Sequence, residues 1–461
     1  MDVTPGIATA PLPPLDGGRP RAALPMSQLV NLSVYWLGLT AIWAGLDATI
    51  LPARVQEMVG EANLGRGLLV VILAGVLMPV VIQPTVGIIS DHTTSRWGRR
   101  KPYIAIGAVL DVVFLAAIAL SQEYLALVVL YILLQFSSNL AQGPFQGYMP
   151  DLVPASQVGR ASGFMGLMIV LGQVGGTLIA SLGLALAPAG TSPAEALFWP
   201  TIGLGLLELA TAIVLIVRVD DGPPGLPRGS RSWGSVARSA WGMDLLRERS
   251  FVWLVASRLC FLAATGAIVR FAKPYLERSM GMTVQEAGAF INVALIAVVI
   301  PTALTVIPAA RLSDRLGRKS LIYAACLLGA GGLLGVALAP SFAVAVIALA
   351  FVGVGAGAFL AVDWALMTDI IPKETAGRYM GISNVGTAMA GPVALVLAGP
   401  VLDAVSATDP ASSPRAAYLV GVCFFVLAAI LLHPVDPTRR ESKRTSLGAQ
   451  VRGGSGRPVD E

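Results

Sequence analysis

A chain of 461 residues that is 55% hydrophobic and 13% charged is not a soluble globular protein, in which about 25% of residues carry charge. Its net charge of +5 gathers in loops beside long apolar runs, which points to a membrane with anionic lipid and not to nucleic acid. Two histidines, three cysteines (Cys260, Cys326 and Cys423) in separate apolar runs, and no Gly-Lys-Ser/Thr loop argue against disulfides, metal sites, cofactors and enzymatic chemistry.

Residues 1–28 have no basic start and no apolar core, so they read as a flexible cytoplasmic tail, not a cleavable signal. Six apolar runs follow, at 29–53, 67–89, 103–120, 124–148, 161–187 and 197–217. Each is long enough to cross a hydrocarbon core of about 30 Å as a helix, and none alternates as a barrel strand does. Residues 218–250 form a linker with a Pro/Gly-rich start. Within it Trp233, Val236, Ala237, Ala240, Trp241 and Leu245 recur at helical spacing beside Arg238, Arg247 and Arg249, giving either a short interfacial helix or a solvated linker. Six more runs occupy 251–271, 287–309, 321–339, 342–366, 379–402 and 416–433, and 434–461 is a disordered cytoplasmic tail. The expected fold is all-α, with twelve transmembrane helices in two six-helix bundles, 29–217 and 251–433.

The connections alternate in charge. Arg96, Arg99, Arg100, Lys101, Arg311, Arg315, Arg318 and Lys319 fall on one side, whereas the other holds Arg54, Arg66, Arg278 and Arg415. An excess of cations marks the cytoplasmic side, so both termini are expected there and the protein spans the cell membrane. His92 and His433 sit at membrane ends, as amphipathic rings commonly do.

The two halves repeat each other. "SDHTTSRWGRRK" after the second run matches "SDRLGRK" after the eighth, and Asp151, Pro154, Gly159, Arg160 and Gly163 share their spacing with Asp369, Pro372, Gly377, Arg378 and Gly381. Duplicated six-helix units are the pattern of a transporter with its site between the repeats.

On these motifs the chain resembles the major facilitator superfamily. Within it, "QPTVGIISDHTTSRWGRRKPYI" together with Asn139, Gln142, Gly143, Pro144, Asp151 and Leu152 resembles the sucrose/proton symporters, related to the glycoside-pentoside-hexuronide:cation symporters. The resemblance implies a monomeric secondary transporter of a small polar solute, a sugar or glycoside, coupled to a proton or another cation. It also implies a cytoplasmic latch between the halves that breaks when the cavity opens inward, formed by Asp91, Arg96, Gly98, Arg99, Arg100, Asp151 and Arg160 with Asp314, Gly317, Arg318, Asp369 and Arg378. A carboxylate such as Asp91 can accept hydrogen bonds from arginines and from a helix N-terminus. The alternative is that these cations only fix topology.

Asp47, Asp111, Glu208, Arg258 and Asp363 lie inside predicted spans, where each charge costs about 2.5–3.5 kcal/mol and is functional by default. The resemblance implies that helices 1, 4, 7 and 10 line the cavity, which takes in Asp47, Arg258 and Asp363. Helix 4 shows Gln135, Asn139, Gln142 and Gln146 at i, i+4, i+7 and i+11, four amides on one face. Helix 1 repeats that spacing with Trp36, Thr40, Trp43 and Asp47, which suits stacking on a sugar ring and bonding its hydroxyls. These residues and Arg258 are the candidate solute site, interhelical packing being the alternative. At Gln135 and Gln146 the sucrose symporters carry an Asp and an Arg, so coupling here needs another carboxylate, Asp47 or Asp363 near Arg258. Asp111 and Glu208 fall outside the cavity reading; they either share a proton or hydrogen bond, or belong to faces misjudged from helix rotation.

The rival functions are an efflux antiporter of the same superfamily and, from another class, a membrane receptor or enzyme. Drug exporters show a Gly-Pro pattern on helix 5, where "GLMIVLGQVGGTLIA" has the glycines but not the proline.

Overall fold

The computed structural model describes residues 23–60, 63–188, 190–221, 232–239, 241, 248–371 and 376–436. Among the described residues all regular structure is helical. Twelve helices are long and apolar enough to cross a membrane: α1 Met26–Val59, α2 Arg66–Asp91, α3 Lys101–Leu120, α4 Tyr124–Leu152, α5 Val158–Ala185, α6 Pro193–Arg218, α7 Arg249–Ser279, α8 Phe290–Leu316, α9 Arg318–Leu338, α10 Phe342–Ile370, α11 Arg378–Ser406 and α12 Ser413–Leu432. Each predicted run falls on one of them. Large apolar side chains such as Leu77, Leu125, Leu304 and Val396 stand exposed along the outside, a surface suited to lipid and too apolar for water.

Several helices outrun their apolar stretch because polar caps extend them. Ser192 and Glu195 form a capping box at the start of α6, and Thr283 and Glu286 form another before α8, on a helix that begins at Val284. Each box satisfies two N–H groups that the first turn leaves orphaned. Prolines sit inside α2, α4, α6, α8 and α11; neighbouring helices and side chains make that tolerable in a membrane bundle. In α1 a π-helical turn, Leu46–Ile50, interrupts the regular winding.

A short helix, Trp233–Ser239, lies in the linker. It rests on α2, where Val236 meets Ile88 in a buried contact and the indole of Trp241 donates to Thr85 at 3.3 Å. Ala240, Leu245 and Arg247, the tails 1–22 and 437–461, and Pro372 of the repeat lie outside the described residues.

The six-helix halves meet through α2 against α11 and α5 against α8, with further contact of α5 on α10 and α4 on α11. The first two pairs are equivalent under the repeat. Gly163 and Gly381 allow them to close: an added Cβ would lie 2.7 Å from the Ala310 Cβ at the first and 2.5 Å from the Pro84 Cα at the second. Without a hydrophobic force between helices in lipid, such small residues set how closely backbones approach. Both contacts lie toward the end of the bundle that carries the charged hairpins.

Candidate functional site

The hairpin end is held by buried ion pairs. Arg100 donates to Asp91 at 3.1 Å and pairs with Asp151 at 2.7 Å, and Arg99 also bonds Asp151. These four side chains are buried and tie the ends of α2 and α4 to the start of α3. Gly98 turns the hairpin with φ of +100°, a conformation that suits glycine. Asp221, just past α6, accepts from the Arg100 N–H at 2.8 Å and from the Tyr148 hydroxyl, leaving no room for a Cβ on Gly98. In the second half Arg318 pairs with Asp369 and donates to the Ala365 carbonyl at 2.5 Å, after a turn at Gly317 with φ of +86°.

Among the described residues these arginine pairs each lie within one half, whereas the latch expectation set them between the halves. The hairpins are short, and their cations reach the carboxylates at the ends of neighbouring helices of their own six-helix half. Across the halves, Asp314 lies against the start of α5, where a Cβ on Gly159 would come 2.5 Å from its Oδ1. Arg96 and Arg160 are exposed and Arg378 is buried.

At mid-bundle the amides of α4 meet a residue that apolar counting passes over. The Gln83 side-chain amide donates to Asn139 and to Gln142, the latter at 3.3 Å, and its oxygen accepts from Asn384 of α11 and from Gln146 at 3.5 Å. Gln135 joins the same face, receiving a bond from Asn139 at 3.1 Å and donating to the Tyr131 hydroxyl at 3.1 Å. The four amides expected on one face of α4 do share a face, but their hub is on α2 and their partner across the halves is on α11.

Next to Asn384, Ser383 accepts from Arg258 at 3.2 Å, and Thr387 accepts from Arg258 at 3.1 Å. Arg258 forms a buried ion pair with Asp363 at 2.9 Å and lies 5.1 Å from the ring of Trp364, near enough for a cation–π contact. Trp364 in turn meets Trp36 edge-on at 5.4 Å. A continuous polar belt thus runs from Asn139 through Gln83, Asn384, Ser383 and Arg258 to Asp363, crossing from one half to the other. Three buried atoms beside it have no hydrogen-bond partner: Trp36 Nε1, Gln146 Oε1 and Asp363 Oδ1. Buried polar atoms are ordinarily paired, so these three keep bonding capacity that a polar group entering the belt could use.

Of the rest of the α1 stripe, Trp43 joins this belt through Tyr131, the partner of Gln135, and Thr40 packs elsewhere. Thr40 donates to the Trp36 carbonyl at 2.7 Å and to the Ile169 carbonyl of α5 at 3.2 Å, and the close approach of Gly172 makes it a packing residue between α1 and α5. Trp43 packs edge-on against Tyr131 at 6.1 Å. Asp47 lies in the π-helical turn, exposed, with Arg270 of α7 as the charge acting on it. The extra residue of a π turn rotates the rest of the helix about its axis, so Asp47 leaves the register that its spacing implied.

A separate cavity of about 350 Å³ opens between α5 and the helices α7, α8 and α10, lined by Gln173, Thr265 and Thr302 among mostly apolar residues. It shares no lining residue with the belt.

Sequence reading missed Gln83, Asn384, Ser383, Thr387 and Trp364. Gln83 and Ser383-Asn384 interrupt apolar runs, and that interruption was the available signal. Among the described residues no cluster of His, Cys, Asp and Glu could hold a metal ion.

Comparison with known proteins agrees with this architecture. FucP, a Major Facilitator Superfamily transporter solved in its outward conformation, shares the fold with a TM-score of 0.67 at 18% identity, over 88% of this chain and 98% of that one. The proton:xylose symporter XylE, bound to 6-bromo-6-deoxy-D-glucose, does so with a TM-score of 0.63 at 18% identity, over 89% and 95%. In sequence, 124 residues are 31% identical to the sucrose transport protein SUT1 of Oryza sativa subsp. japonica, covering 22% of this chain and 23% of that protein. Another 27% match over 173 residues is to the sucrose transport protein SUC4 of Arabidopsis thaliana, covering 34% of this chain and 33% of the relative. The matches thus span about a third or less of these relatives. The family model of the Major Facilitator Superfamily matches residues 34–301 and 260–453, and with twelve helices in two repeated halves the chain belongs to that superfamily of transporters.

Proposed function

We propose that the protein carries a sugar or glycoside across the cell membrane by alternating access, driven by a proton. The observation that carries this reading is the neutral amide belt between the halves, joined to one Arg–Asp pair and two tryptophans in edge-on contact. Amides both donate and accept, which fits hydroxyls better than an ion or an apolar drug, and tryptophan faces suit sugar rings. Solute hydroxyls would replace the bonds that Gln83 makes with Asn139 and Asn384. Protonation of Asp363 would release Arg258 from its ion pair, linking the proton to α11 through Ser383 and Thr387. Asp47, facing Arg270, is the second candidate carrier. The partial likeness to sucrose transport proteins supports the solute class.

The mostly apolar cavity beside α5 favours a second reading, efflux of a hydrophobic solute. Uptake of radiolabelled sucrose into proteoliposomes with and without an imposed proton gradient separates the two. Gradient-dependent accumulation is expected; expulsion of a hydrophobic cation with no movement of sucrose would put efflux in its place.

Both termini and both charged hairpins are proposed to face the cytoplasm, with the chain acting as a monomer. A reporter active only outside the cytoplasm should be silent when fused after His433 and active when inserted at Ala411; the reverse pattern overturns the orientation.

A further inference from the structure

A second cluster of ionisable groups lies inside the amino-terminal half. Asp111 of α3, Glu208 of α6, Tyr35 of α1 and Ser137 of α4 are all wholly buried. The Tyr35 hydroxyl donates to Glu208 Oε1 at 2.7 Å, and Ser137 donates to Asp111 Oδ1. α3 and α6 pack closely at this level, where a Cβ on Gly205 would lie 3.3 Å from the Val112 Cα, and this sets the two carboxyl groups beside each other. Yet Asp111 Oδ2 and Glu208 Oε2 have no hydrogen-bond partner among the described residues. Acceptor facing acceptor out of water is repulsive, and a carboxylate that is buried without a partner takes up a proton instead.

Among the described residues the surroundings offer no cation. From α1 the group facing the pair is Tyr35, from α4 Ser137 and Ser138, and from α6 Thr211, whose hydroxyl bonds the Glu208 carbonyl at 2.8 Å. None of the ion pairs between described residues includes either carboxylate. The helices are tightly closed around the pair, since a Cβ on Gly38 would lie 2.6 Å from the Glu208 Cα. One proton placed between the two acids supplies the missing donor and leaves a single negative charge, which the Tyr35 and Ser137 hydroxyls bond.

We propose that Asp111 and Glu208 form a proton-binding site, one proton shared by two carboxyl groups, separate from Asp363 and linked to the solute belt through Tyr35. The link is a run of rings. Tyr35 meets Phe145 at 4.9 Å, Phe145 meets Trp36 at 5.5 Å, and Trp36 meets Trp364 across the halves. Loss of the proton to water leaves two like charges in contact, which is relieved only if α1, α3 or α6 moves. Tyr35 is a positioning residue in this scheme. The consequence for transport rests on the proposed solute coupling, whereas the shared proton does not.

Infrared spectroscopy of the purified protein in lipid, without solute, tests the site. Wild-type protein should show a protonated-carboxyl carbonyl band at neutral pH that shifts on exchange into D2O. Asp111→Asn and Glu208→Gln should each abolish it, and Tyr35→Phe should shift it. Wild-type protein grown with carboxyl-labelled aspartate or glutamate makes the result independent of how the variants fold, because the band must move with at least one label. No such band, or one that both variants leave intact, overturns the proposal. A second arm follows sucrose uptake against external pH, where Asp111→Asn should flatten the wild-type dependence. Should wild-type protein move no sucrose while the band behaves as expected, the sugar reading fails and the proton site stands.

Discussion

Replacing Asp363 by Asn is expected to abolish proton-driven accumulation of sucrose in proteoliposomes while leaving sucrose exchange across the membrane in place, and to lower the thermal stability of the protein. The two effects share one cause. Arg258 and Asp363 are 5% and 2% exposed and lie 2.9 Å apart, so each neutralises the other in a region where an unpaired charge is costly. Breaking such a pair by removing one partner costs about 3–5 kcal/mol, because the remaining charge stays buried. In Asp363→Asn the guanidinium keeps only the Ser383 and Thr387 hydroxyls and the face of Trp364. The double variant Arg258→Gln with Asp363→Asn removes both charges and should regain most of the lost stability without regaining coupling. Asp47→Asn should change stability far less, since Asp47 is exposed. A variant Asp363→Asn that is as stable as wild type and still concentrates sucrose would refute the role given to the pair.

The twelve spans were legible because length and hydropathy are all that a bilayer asks of a helix. Their ends were less so. The helix bearing α8 begins at Val284, before the apolar run that starts at Ala287, because Thr283 and Glu286 cap it. That signal is local and readable, but it lies outside the apolar stretch. The repeat was equally legible, since Gly163 and Gly381 recur at equal spacing and occupy equivalent crossings of the halves.

The site was legible one helix at a time. A face of amides on α4 follows from a spacing of 3.6 residues per turn, but which helix supplies the bonding partner depends on packing between the halves. Gln83 and Asn384 are 301 residues apart, and neither belongs to the helices that the resemblance marked as cavity-lining. On α1, Thr40 is taken up in packing against α5, which depends on the neighbouring helix and not on spacing, and the π turn at Leu46–Ile50 is invisible to periodicity. The charged hairpin was readable as a unit, yet Asp221, which clamps it from 121 residues away, carried no signal in a Pro/Gly-rich linker.

Gln83→Leu is expected to weaken sucrose binding by about 10- to 100-fold, or about 1.4–2.8 kcal/mol. Gln83 has two donors and one oxygen, and the belt uses them fully: two bonds to α4 acceptors, one from Asn384 and one from Gln146. Leucine keeps the volume and removes every one of them. A buried donor or acceptor left unpaired costs about 1–3 kcal/mol, so Asn139 and Asn384 lose the partner that holds them in place for the solute. The bond to Asn384 also crosses the halves, so its loss should loosen the closed hairpin end along with the site. Gln83→Glu sharpens the test by keeping the two accepting bonds while setting a carboxylate against the oxygens of Asn139 and Gln142. It should bind sucrose no better than the leucine variant, although it retains a polar group. Titration calorimetry on the purified proteins measures both, with Asn139→Leu as a third point. Equal sucrose affinity in wild type and Gln83→Leu would mean that the belt is interhelical glue of the kind amides supply in membranes, and the solute site would then have to be sought in the cavity beside α5.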